Sequence, residues 1–154
     1  MKLDFKNAIR NPDALSVLLE DGSEAYGICQ DWLPGKWKQL AGCGPCTAAN
    51  ILFYLSRRDP ALAPLCSVAD AVTRQLTRAQ SVEFVCDIWK DLAPGPKGVN
   101  TVGMFTKGAL AFARRRGVEL AVAELLIPGA GEGPRTLSAC ADFIEEGLKN
   151  DCPV

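Results

Sequence analysis

Two thiols stand three residues apart in Gly42-Cys43-Gly44-Pro45-Cys46, the segment that opens into TAANILFYL. At the start of a helix that spacing suits disulfide exchange. The positive end of the helix macrodipole favours the first thiolate, and the second thiol is close enough to resolve a mixed disulfide. The same placement suits a single nucleophile, because backbone N–H groups at a helix start can hold the oxyanion that forms when a thiolate attacks a carbonyl. A structural zinc site would need a second ligand pair at defined spacing. This chain has one Cys-x-x-Cys, single cysteines at 29, 66, 86, 140 and 152, and no histidine. No metal and no cofactor is therefore expected. Without an imidazole, these residues also lack the usual base for a cysteine nucleophile.

Cys-Gly-Pro-Cys resembles the thioredoxin active-site motif, which makes Cys43 and Cys46 an alternative redox pair. Thioredoxins, however, carry a tryptophan before the first cysteine and a buried strand before the motif. Here Gly42 precedes Cys43, and LPGKWKQLAG is polar and irregular. The longer stretch GCGPCTAANILFYL resembles the papain-like cysteine peptidases of the bacteriocin-leader-processing, double-glycine peptidase-like type. The resemblance implies an α+β fold and a peptide or protein substrate. It makes Cys43 the nucleophile and Gln39, four residues earlier, the donor to the oxyanion. Trp37, Gly42 and Gly44 would then line the substrate site. It also implies that the histidine base and its orienting Asp or Asn come from a β-rich half that follows the helical half. On this reading residues 1–154 are a single peptidase domain, mainly helical with few short strands, either a fragment cut before that half or a natural remnant without it, and inactive as they stand. A non-catalytic module binding peptide in a groove lined by Trp32, Trp37 and the Cys43 helix is a further alternative.

The elements that must position Cys43 are legible as periodicities. Apolar residues at helical spacing predict a helix over Gly44–Arg57, ended by Arg58-Asp59-Pro60. Further helices are predicted over Ser67–Leu76 and Ser81–Leu92, each opened by a serine cap, and over Val102–Arg116, stopped by Gly117. Thr136–Asn150 reads as another. Asn11-Pro12 predicts a short helix over Asp13–Leu19, residues 25–40 a short strand and then an irregular loop, and Val118–Ile127 a strand. Cys152-Pro153-Val154 reads as the approach to a further strand. Cys66, Cys86 and Cys140 fall within or beside apolar patterns, as small hydrophobes.

A net charge of -1 gives no field that would gather phosphate backbones or anionic lipid, so nucleic acid is not an expected partner. The basic cluster Arg114-Arg115-Arg116 reads as a solvated helix end, where cations favour the macrodipole. No apolar run is long enough for a membrane span. Met1–Lys6 lacks a secretory signal, so a soluble, cytoplasmic protein is expected.

Overall fold

The computed structural model describes residues 6–69, 73–127 and 136–154. The fold is mixed α+β, with several helices and one small three-stranded sheet among the described residues. The described residues fall into two compact units: Pro12–Ala121, and Val122–Val154 with the chain up to Asn11.

In the larger unit, Pro12–Leu15 makes only a 3-10 turn, and Ser16–Leu18 is strand β1 rather than part of the expected helix. Tertiary pairing overrides the short helical pattern. β1 is the central strand, with Val17 opposite Ala25 of β2 (Glu24–Tyr26, antiparallel) and opposite Leu76 of β3 (Leu76–Thr77, parallel). The β1–β2 turn is closed by Asp21, whose carboxylate accepts from the Ser23 N–H at 2.9 Å and the Ser23 hydroxyl at 2.6 Å. The segment expected as loop holds a 3-10 turn at Gln30–Trp32 and a short helix, α1 (Lys36–Ala41). Gly35, at φ +81°, supplies the left-handed residue that lets the chain enter α1.

Helix α2 (Cys43–Arg58) follows the periodicity and buries Cys46, Ala48, Ala49, Leu52, Phe53 and Tyr54. Arg57 and Arg58 occupy its last turn, where cations complement the dipole. Asp59 ends α2 and caps a 3-10 helix over Pro60–Cys66 by accepting from the Ala61 N–H. The expected helix over Ser67–Leu76 does not form among its described residues. Ser67–Ala69 is a turn, Arg74 sits at φ +53°, outside helical conformation, and Leu76 enters β3; residues 70–72 lie outside the described residues.

Helix α3 (Arg78–Ile88) begins earlier than Ser81. Thr77 and Gln80 form a reciprocal capping box that satisfies two orphan amides, while Ser81 is buried and donates back to the Thr77 carbonyl. Helix α4 (Val102–Arg115) starts at the Thr101 cap and stops before Gly117 at φ +72°, close to expectation. Gly108 lets α4 press on the turn after α3: a Cβ there would lie 2.8 Å from the Leu92 Cβ. Phe84 and Phe112 meet edge to face in the core, at 5.9 Å between centroids. Outside them Asp87 accepts from Lys90, Arg115 and Arg116, so two of the three clustered arginines are engaged rather than simply solvated.

Val118 is buried, but no strand forms over the described residues of Val118–Ile127. No neighbouring strand pairs with that segment among the described residues.

In the smaller unit, helix α5 (Leu137–Lys149) is capped by Thr136, as expected. The Glu145 carboxylate accepts from the Lys6 backbone and the Asn7 amide, and buried Asp151 accepts from the Arg10 backbone at 2.7 Å. Cys152-Pro153-Val154 is not in a strand and folds back on α5. The Cys152 N–H bonds back to the Gly147 carbonyl at 2.9 Å, and Val154 packs over Gly147, where a Cβ would lie 2.6 Å from its Cγ2.

Candidate functional site

Cys43 is the first residue of α2 and is exposed. Gly42 alone separates it from α1. A Cβ at Gly42 would lie 2.5 Å from the Lys38 carbonyl oxygen and 2.6 Å from the Leu33 Cδ1, so the junction closes this tightly only around glycine. The Cys43 sulfur thus stands at the elbow between a short helix and a long buried one.

Rotation of α2 about its axis is set by Asn50. Its Oδ1 accepts from the Ile28 N–H at 2.8 Å, and its Nδ2 donates to the Ile28 carbonyl at 3.3 Å and the Cys46 carbonyl at 3.0 Å. The amide side chain thereby pairs with the chain after β2 much as a neighbouring strand would. That contact leaves Cys43 pointing out and Cys46, one turn deeper, in the core.

In front of Cys43 lies an open cleft of about 400 Å³. Cys43, Gly44 and Thr47 form one wall, and Val99, Asn100, Thr101, Val102 and Phe105 form the other. The walls touch at Gly44, where a Cβ would lie 2.5 Å from the Val99 Cγ2 and 2.7 Å from its Cβ. Glycine after the cysteine is what permits Val99 to sit there. Pro45 has no N–H, and the Cys46 N–H is bonded to the Gly42 carbonyl at 2.9 Å. An oxyanion at this helix start would therefore look to the amides of Cys43 and Gly44.

The expected partners fall in different places. Gln39 is on α1, and its Nε2 donates to the carbonyls of Leu33 at 2.9 Å and Asp31 at 3.2 Å, while its own carbonyl accepts from Gln30. Both of its N–H groups thus serve to staple α1 to the preceding turn, not to face Cys43. Trp37 is half exposed on α1 and does not line the cleft; Trp32 is half buried beneath the Arg78 guanidinium, 5.7 Å from the ring centroid. Of the expected substrate-contacting residues, Gly44 lines the cleft, whereas Gly42 is buried and does not. Thr47, Asn100 and Phe105 join the site without having been anticipated. Val99-Asn100-Thr101 carries no chemical signature in sequence, only the approach to a helix cap.

The two cysteines of the motif differ in environment. Burial pushes the Cys46 thiol up to about 12, and the neighbouring thiols of Cys29, Cys43 and Cys86 add to it. Cys46 is therefore a protonated, poorly nucleophilic thiol at neutral pH. Both are free. Among the described residues no three His, Cys, Asp or Glu side chains are grouped to hold a metal ion, and no helix is long and apolar enough to cross a membrane.

No protein-family model, no curated protein and no solved structure matches this chain.

Proposed function

We propose that Cys43 is the nucleophile of a papain-like cysteine peptidase site acting on a peptide or protein in the cytoplasm. On this reading the 154 residues form the helical, thiol-bearing part of that site and do not catalyse by themselves. The observation that carries the reading is the exposed Cys43 sulfur at the first residue of a long buried helix, opening on a cleft. A carbonyl placed there would meet the sulfur from the cleft side, and the amides of Cys43 and Gly44 could receive its oxygen. What the residues do not supply is an imidazole to take the thiol proton and return it to the leaving amine.

Chemical rescue tests the proposal. Cleavage of an activated ester by the chain is expected to be slow, to rise with added imidazole, to vanish in Cys43→Ala and to persist in Cys46→Ser. Labelling of Cys43 by a peptidyl electrophile at peptidase-like rates, at neutral pH and without imidazole, would overturn the claim that these residues lack a working base for Cys43.

One observation favours a second reading, thiol–disulfide exchange: an exposed first thiol with a buried second thiol one helical turn on. It predicts a reversible Cys43–Cys46 disulfide and reductase activity lost in either serine variant. Reductase activity that survives Cys46→Ser would exclude it.

A further inference from the structure

We propose that peroxide oxidation of Cys86 ends in a covalent sulfur–nitrogen bond to Lys38, a reversible link that ties α1 to α3. The pair lies apart from the residues that line the Cys43 cleft. Lys38 Nζ is 3.3 Å from the Cys86 sulfur. The same ammonium stands over the Trp89 ring, 5.5 Å from the centroid. Among the described residues no carboxylate lies within ion-pair distance of it. The nitrogen is thus held near a sulfur and an aromatic face rather than drawn off by a carboxylate. Both side chains are half buried, open enough for a small peroxide yet confined enough to keep the two atoms together.

The chemistry balances with hydrogen peroxide as the oxidant. The Cys86 thiolate attacks one peroxide oxygen, the O–O bond breaks, and the departing oxygen leaves as water, giving a sulfenic acid. Lys38, having passed its ammonium proton to water, attacks the sulfur with its nitrogen lone pair. The S–O bond breaks and hydroxide leaves as a second water. Sulfur is oxidised, peroxide is reduced to two waters, and a thiol plus an amine become a sulfenamide. A dithiol reverses the link by attacking the sulfur and returning thiol and amine. The obvious competitor for the sulfenic acid is the Cys46 thiol, which is buried in α2 and so poorly nucleophilic.

The consequence lies at the elbow. α1 ends at Ala41, with Gly42 alone between it and Cys43, so the link would fasten the helix that leads into the exposed thiol. The inference needs no activity at Cys43 and stands apart from the peptidase reading.

The test is mass spectrometry of the whole chain after treatment with hydrogen peroxide and capping of free thiols. The expected product is lighter than the starting chain by the mass of two hydrogens, with Cys86 uncapped. Its tryptic map joins the Lys38 and Cys86 peptides, with no cleavage after Lys38, and dithiothreitol restores the original mass. Lys38→Arg and Cys86→Ser should both abolish the product, and Cys43→Ser should leave it intact. In Lys38→Arg, trapping of sulfenic acid at Cys86 by dimedone should increase several-fold. A Cys46–Cys86 disulfide, a link that retains an oxygen atom, or equal dimedone trapping in the native chain and Lys38→Arg would each overturn the proposal.

Discussion

Replacing Gly44 by alanine puts a methyl group where the wall of the cleft now rests. The new Cβ would lie 2.5 Å from the Val99 Cγ2 and 2.7 Å from the Val99 Cβ. Ordinary carbon contacts begin at about 3.5 Å, so Val99 must retreat by about 1 Å or the first turn of α2 must shift. Overpacking of this size costs about 1–3 kcal/mol, while alanine for glycine in a helix returns up to about 1 kcal/mol. The expected net loss is about 1 kcal/mol, read as a fall of roughly 3 °C in the thermal midpoint by circular dichroism. Val99→Ala removes the obstructing methyls. Combined with Gly44→Ala it should recover stability relative to the sum of the single changes, with a coupling of about 1–2 kcal/mol. Since Val99 also bounds the cleft, Gly44→Ala should raise the rate at which a bulky thiol reagent modifies Cys43. A Gly44→Ala chain that is more stable than the native one and shows no coupling to Val99→Ala would refute the packing described for this site.

Two other perturbations follow from the same geometry. Asn50→Ala strips the Ile28 N–H and carbonyl of their partner, and a partly buried backbone pair left so should cost about 2 kcal/mol in urea unfolding; a loss below about 0.5 kcal/mol would mean that Asn50 does not hold α2 in place. At Asp87 burial works to raise the carboxyl pKa, but hydrogen bonds from Lys90, Arg115 and Arg116 together outweigh it and bring it down to about 2. The native pKa is thus below the unfolded one, so the stabilisation is present above about pH 4 and is lost as pH falls toward about 2. After discounting for the exposure of Arg115 and Lys90, it amounts to about 1 kcal/mol. Asp87→Asn should flatten the stability profile across that window, and an unchanged profile would contradict the assignment.

The parts legible in sequence were those governed by local rules. α2, α4 and α5 have an apolar face at helical spacing, with Asp59-Pro60 ending α2, Thr101 and Gly117 bounding α4 and Thr136 capping α5, and they fall close to where the pattern puts them. β1 was read as helix because Asn11-Pro12 is a helix-opening pair. What decided its state was pairing with Ala25 and Leu76, which no local window contains. Val118–Ile127 failed in the opposite sense, since strand-like composition does not make a strand without a neighbour to bond. Thr77 displaced Ser81 as the cap because the box needs both Thr77 and Gln80, and the serine was the more conspicuous residue. At the site, Cys43 stood out through its glycine and proline neighbours. Val99 and Phe105 did not, because their role comes from the return of the chain to Gly44. Gln39 has the chemical type of an oxyanion donor, but type does not reveal direction, and its amide faces Leu33 and Asp31.

The sheet order has a consequence for how the molecule comes together. β1 lies between β2, its immediate successor, and β3, which arrives only after α2 and the 3-10 helix have been traversed. The β1–β2 hairpin can close as soon as both strands exist. The parallel contact of Val17 with Leu76 must instead wait for the intervening chain to pay its loop-closure entropy. α2 shortens that wait by turning its residues into one rigid span, so the helix that carries Cys43 is also what brings the distant strand within reach of its partner.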